Sequence, residues 1–379
     1  MGLLYTGSIS NPSTRLPELE GLRAVAALGI VVTHVSFQTA LGSAFLERFD
    51  YFVAVFFALS AFLLARSTHG RGYYRRRLAR IAPGYLVCVS VVMVALPALS
   101  GISLRQILAN LFLVQVYVPD GLVAGLTHMW SLCIEVAFYL ILPAYLALRT
   151  RGRIAALIVA VVCSVVWPWL IDVPSPLNLQ TTPPSYVPWF AVGLVCAEVE
   201  RYRLVRQGRN LRWIGPLLGL AVAWLASREW VGPRGLVHPS PAEFNVRILL
   251  GAVFAACFLV PFALWPVKGR SVLSSAVATA LGKWSYGIFL WHVAVLDIAF
   301  PVLGVRVFSG RPVDFVLVLA FTVAVSVAVA YVSYELVEKP ASRWIRRGWP
   351  TPRTQPAQSR ENHPHNSPPA TVPGPATAP

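Results

Sequence analysis

The chain has 379 residues, of which 56% are hydrophobic and 13% charged, against about 25% charged in an ordinary soluble domain. Lys and Arg number 32 against 16 Asp and Glu, a formal charge of +16. Continuous apolar runs recur from residue 22 to residue 338, which excludes a soluble globule, a disulfide scaffold, a disordered chain and the alternating strands of a membrane β-barrel.

The predicted fold is therefore all-α, a polytopic membrane bundle of about ten transmembrane helices. In chain order the spans fall at 22–40, 51–66, 84–100, 128–148, 154–171, 187–199, 213–231, 245–266, 276–298 and 313–338, each near the ~20 apolar residues that a crossing needs, with the sixth short. The stretch 104–118 carries Arg105, Gln106, Asn110 and Gln115 and reads as an interfacial or re-entrant helix. The basic residues support this count. With the N-terminus in the cytoplasm, 25 Lys and Arg lie on or near the inner side and seven outside, including six arginines in 66–83 and five in 200–212 on the inner side. Basic residues gather in cytoplasmic loops, so both termini are predicted cytoplasmic and the positive charge needs no nucleic-acid partner. Residues 1–21 form a cytoplasmic segment, 22–345 the transmembrane domain and 346–379 a disordered cytoplasmic tail, since nine of the last 30 residues are proline. The five cysteines, Cys88, Cys133, Cys163, Cys196 and Cys257, show neither CxxC nor disulfide spacing. The first apolar run lacks a cleavage site and reads as a retained helix. The expected location is the cell's plasma (inner) membrane, multi-pass.

Ionisable groups inside spans are costly and mark candidate sites. Arg23 and His34 are 11 residues apart in LPELEGLRAVAALGIVVTHV, which places them on one helical face ~16 Å apart along the axis. Arg23 alone reads equally as a snorkelling anchor, and His34 as a buried histidine bonded to a neighbouring helix. Glu135, in THMWSLCIEVAFYL, falls at the depth of His34, where a carboxylate can orient an imidazole and raise its basicity. His128 and Ser131 sit one to two turns further out. In YYRRRLARIAPGY, Arg77 and Arg80 share a helical face, and two guanidinium forks together suit phosphate. The alternative is ordinary positive-inside anchoring. LGKWSYGIFLWH contributes Ser285, Tyr286 and His292, SYELVEKP contributes Tyr334, Glu335 and Glu338, and FFALSAF contributes Ser60. A lone serine in a span usually bonds a carbonyl of its own helix. Together these groups suit a phosphorylated donor at the inner face and a polar site within the bundle. The same His–Glu pair also suits a proton-coupled transporter or flippase, although no related halves are visible.

Six segments in order, RLPELEGLRAVAAL followed by His34, FFALSAFLL, RRRLARIAPGY, HMWSLCIEVAFYL, LGKWSYGIFLWH and SYELVEKPASRW, give the chain its resemblance to the acyltransferase-3 membrane family. These O-acyltransferases modify surface polysaccharides and some macrolides. The sequence departs from the family pattern at Glu20, where Asp is usual, at Ala61, where Gly is usual, and at Val136, where a second Glu often stands. The resemblance implies transfer of an acyl group, acetyl above all, from cytoplasmic acyl-CoA to a hydroxyl of a sugar or glycoconjugate at or beyond the outer face. It implies that Arg77 and Arg80 hold the CoA phosphates, that His34 is general base or transient acyl carrier, and that Glu135 and Arg23 complete the catalytic group. Ser60, Ser131, Ser285, Tyr286 and His292 are then substrate-binding. No metal is expected, because His34, His128 and His292 lack ligand spacing. The outer loops 101–127, 172–186 and 232–244 are expected to shape acceptor choice.

Overall fold

A computed structural model of the protein describes residues 16–67, 72–172, 175, 177–202, 212–235, 237–266 and 271–347. The predicted disordered tail and most of the N-terminal segment lie outside these residues. The described residues form helices and connecting turns, with no strand among them. In chain order the α-helices are α1 (Pro17–Gln38), α2 (Ala44–Glu47), α3 (Phe52–Arg66), α4 (Tyr73–Ala95), α5 (Leu104–Leu111), α6 (Trp130–Ala147), α7 (Thr150–Leu170), α8 (Val187–Arg201), α9 (Ile214–Ala226), α10 (Pro241–Leu264), α11 (Ala276–Leu303), α12 (Pro312–Ser333) and α13 (Lys339–Arg347).

The helix ends follow local chemistry. Ser103 with Gln106 and Ser240 with Glu243 form capping boxes at α5 and α10, where side chains satisfy the first free N–H groups. Pro17, Pro241 and Pro312 occupy first-turn positions, where a missing N–H costs nothing. Gly304 closes α11 at φ +65°, the left-handed cap that glycine adopts most readily.

Among the described residues, eight helical segments are long and apolar enough to cross a membrane. They are α1, the joined α2–α3 (Ala44–Arg66), α4, Thr127–Ala147, α7, α10, α11 and the continuous run Pro312–Ile345. The chain is therefore a multi-pass membrane protein. The two other predicted spans correspond to α8 and α9, helices of 15 and 13 residues. At 1.5 Å per residue they reach ~22 Å and ~20 Å, less than a ~30 Å hydrocarbon core. Residues 104–118 fold as the eight-residue α5 followed by a 3₁₀ turn at Gln115–Tyr117, too short to cross.

Two packed regions hold the bundle. One is centred on α3, where Phe57, Ala58, Phe62 and their neighbours are buried against α8 and α10. The other joins α1, α11 and α12 through Val31, Val35, Ile288, Leu296 and Val318. α1 and α11 run side by side with their backbones pressed together. A Cβ on Gly282 would stand 2.1 Å from the carbonyl oxygen of Glu20, and one on Gly21 would stand 2.0 Å from that of Leu273, in the 3₁₀ turn that leads into α11. Small residues permit such approaches between membrane helices. A buried ion pair ties the same corner. Arg212 donates to both carboxylate oxygens of Glu18, at 2.8 and 2.5 Å, and both side chains are about 5% exposed. Gly282→Val forces α11 away from α1 and is expected to lower the yield of folded protein sharply. Size-exclusion profiles and thermal midpoints in detergent check this, and a wild-type midpoint would contradict it.

Candidate active site

The helices gather the polar residues into two neighbouring groups. The first lines a cavity of about 230 Å³ between α1, α3, α4, α6 and α11. α1 contributes Arg23, near its N-terminal end, and Glu20; α4 contributes Arg77 and Arg80 from its first two turns. Two of the donors there lack partners, since Arg23 Nε and Arg77 Nε are buried without a hydrogen bond among the described residues. A buried guanidinium donor left unpaired is costly. The arrangement suits an anion.

The same cavity is lined by Ser60, Ser131, Glu135 and Tyr286, so it brings together seven of the residues singled out in the sequence. It also exposes one that was not. The Tyr139 hydroxyl donates to the Glu135 carboxylate, and the Ser60 hydroxyl lies 2.9 Å from the Tyr139 oxygen. With Tyr139 donating to Glu135, Ser60 is the donor in the second bond. Glu135 and Tyr139 are i, i+4 on α6 and therefore neighbours. That spacing was visible in the sequence and would have found Tyr139. Tyr286 crosses from α11 to donate to the Ile81 carbonyl at 2.8 Å, and Ser131 donates back to the His128 carbonyl at 3.1 Å.

The second is a packed cluster of three imidazoles. The His34 ring centroid lies 5.2 Å from that of His292 and 6.3 Å from that of His128, and the His128 and His292 centroids are 4.6 Å apart. Three helical segments supply them, α1, the turn leading into α6, and α11. The boundary between the cavity and the cluster is aromatic. The Phe289 ring lines the cavity, and its centroid lies 5.0 Å from that of His128 and 5.9 Å from that of His292. Phe56 packs on Phe289 from α3 at 6.4 Å. On α1 the cavity lining ends at Ile30, one turn short of His34.

The depth argument placed Glu135 level with His34. No hydrogen bond or ion pair joins the two among the described residues; Glu135 is engaged by Tyr139, and the rings beside His34 are the two other histidines. Ser285 also stands apart. It is fully buried, and its hydroxyl donates to the Gly282 carbonyl of its own helix at 2.8 Å, the arrangement expected of an isolated serine in a span.

Comparison with known proteins identifies the family. The acyltransferase domain family, acyltransferase-3, matches residues 16–331. The chain belongs to the acyltransferase-3 family. It is an O-acyltransferase enzyme. Among the relatives of this acyltransferase is Acyltransferase MdmB of Streptomyces mycarofaciens, 31% identical over 383 residues, covering 89% of this chain and 94% of that protein. Nodulation protein 10 of Rhizobium leguminosarum bv. viciae is 26% identical, covering 77% of this chain and 82% of its own. Putative peptidoglycan O-acetyltransferase YrhL of Bacillus subtilis (strain 168) is 26% identical, and the match spans 86% of this chain but about half, 54%, of that protein. No solved structure matches the acyltransferase.

Tyr139→Phe strips the Glu135 carboxylate and Ser60 of their shared partner. An unsatisfied buried polar group costs about 1–3 kcal/mol, so the thermal midpoint is expected to fall. Ser60→Ala in the Tyr139→Phe background is expected to add little. A midpoint unchanged in Tyr139→Phe would show the hydroxyl to be dispensable.

Proposed function

We propose that the enzyme moves an acyl group, acetyl in the first instance, from cytoplasmic acyl-CoA to a hydroxyl of a sugar or glycoconjugate at or beyond the outer face of the plasma membrane. The observation that carries this reading is a cavity lined by arginines with unpaired buried donors beside a cluster of three imidazoles, with Phe289 between them. In this reading the chain crosses the bilayer ten times, with α8 and α9 as short crossings and both ends cytoplasmic. The split of basic residues supports that orientation. It puts the arginine chamber on the cytoplasmic side and the histidines toward the outside.

Arg77 and Arg80 bind the CoA phosphates, and Arg23 guides the pantetheine arm inward. The thioester reaches the Phe56–Phe289 layer, where His34 meets the acceptor. His34 removes the hydroxyl proton as that oxygen attacks the thioester carbon. The carbon–sulfur bond breaks, and the sulfur leaves as thiolate and takes up a proton. Glu135, held by Tyr139, lines the donor chamber and orients what occupies it. Ser60, Ser131 and Tyr286 present hydroxyls to the same space. His292 belongs to the imidazole group, and Ser285 keeps α11 in register from inside its helix. The outer loops 101–127, 172–186 and 232–244 select the acceptor.

Purified protein in nanodiscs with radiolabelled acetyl-CoA tests this, with a crude glycan pool as acceptor. His34→Ala is expected to lose at least ~10²-fold in transfer, the ordinary contribution of a general base, while still inserting. A fully active His34→Ala protein would remove His34 from the chemistry. Arg77→Ala/Arg80→Ala is expected to raise the apparent KM for acyl-CoA by roughly tenfold or more, in line with the strength of hydrogen bonds to charged groups. An unchanged KM would move the phosphate site elsewhere.

A further inference from the structure

A buried imidazole that accepts a proton becomes a cation away from bulk water, which is costly unless another group shares the charge. Among the described residues no carboxylate pairs with His34 to do so. Glu135 is engaged by Tyr139, and Asp297, five residues beyond His292 on α11, accepts a hydrogen bond from Gln38 at 3.2 Å. The groups that do surround His34 are His128 and His292, 3% and 0% exposed.

Their hydrogen bonding is incomplete in a specific way. His292 Nδ1 lies 2.7 Å from the Phe289 carbonyl oxygen. A carbonyl only accepts, so Nδ1 carries the hydrogen and the neutral ring keeps its lone pair on Nε2. That Nε2 is buried and has no partner among the described residues. The His128 ring approaches the backbone of Phe289 and Leu290 without a well-formed hydrogen bond among the described residues. Native interiors rarely leave such groups orphaned, and here His292 Nε2 is orphaned and His128 is only loosely held beside one histidine. Packing alone would be served by apolar side chains, as Ile288, Val293 and Leu296 show on the same helix. Nor do the three rings form a metal cage, for no group of three His, Cys, Asp or Glu among the described residues is placed to hold an ion.

The geometry points to His128 and His292 as proton-sharing partners of His34, positioning residues that act through it without touching substrate. The inference rests on His34 being the base. As the acceptor O–H bond breaks, its proton goes to one ring nitrogen of His34. The hydrogen on the other ring nitrogen is handed to His128 or to His292 Nε2, so the positive charge is held deeper in the cluster. When the carbon–sulfur bond breaks, the proton returns through His34 to the CoA sulfur. The O–H and C–S bonds broken are balanced by the C–O and S–H bonds formed, and the cluster ends neutral. The Phe289 carbonyl makes this reversible relay possible by fixing the free lone pair of His292 on Nε2.

Three variants test the relay in nanodiscs, His128→Gln, His292→Gln and His292→Gly, with thermal midpoints measured alongside. Glutamine keeps a polar side chain of similar reach but has no basic nitrogen. Each glutamine variant is expected to lose roughly 10–100-fold in kcat, a share of what acid–base catalysis contributes, with KM for acyl-CoA within about twofold and a near-native midpoint. The double glutamine variant is expected to fall little below the weaker single, because members of one unit are not additive. Added imidazole is expected to restore part of kcat to His292→Gly, which a purely structural role would not permit. If one glutamine variant fails to fold, the other decides. Native kcat in a folded glutamine variant overturns the relay, as does a loss that follows the midpoint and resists imidazole. An inactive His34→Ala protein beside native glutamine variants overturns the relay alone, whereas an active His34→Ala protein overturns the base itself.

Discussion

The structure depends on how closely α1 and α11 approach. Glycine at 21 and 282 lets backbone meet backbone near the start of both helices, and the two then run side by side. His34 on α1 therefore arrives beside His292 on α11, and Arg23 faces the cavity that Tyr286 also lines. Van der Waals contact drives helix association in lipid, because tails are as apolar as leucine. A wider spacing would lose that contact and separate the histidines together.

Around this axis, polar residues are stratified. One end of the bundle holds guanidinium groups and the Glu135–Tyr139–Ser60 chain, and the other holds imidazoles. Each layer is built from several helices running in opposite directions. Arg23 comes early in α1 and Tyr139 in the second half of α6, whereas His34 comes late in α1 and His128 just before α6. The antiparallel course of α6 against α1 makes sequence order reverse between them, so residues far apart in the chain reach one level.

Much of this was legible beforehand, for identifiable reasons. The spans were visible because lipid demands long apolar helices, and Arg23, His34, Arg77, Arg80 and Glu135 stood out because ionisable groups in such helices are rare. What escaped was lateral. Depth along the membrane can be read from distance to a helix end, but rotation and neighbour choice cannot. Glu135 was therefore level with His34 on paper and bonded to Tyr139 in the fold. The meeting of His128 with His292 depends on α6 and α11 packing, which no periodicity within either helix encodes. The sixth predicted span was already short in the sequence, and it and the seventh fold as α8 and α9, of 15 and 13 residues.

Phe289 faces both ways. Its ring closes the arginine chamber, and its carbonyl holds His292. Water that enters from the arginine end meets an aromatic surface before it meets an imidazole. A shift of the Phe289 backbone would therefore disturb the cavity boundary and the tautomer of His292 together.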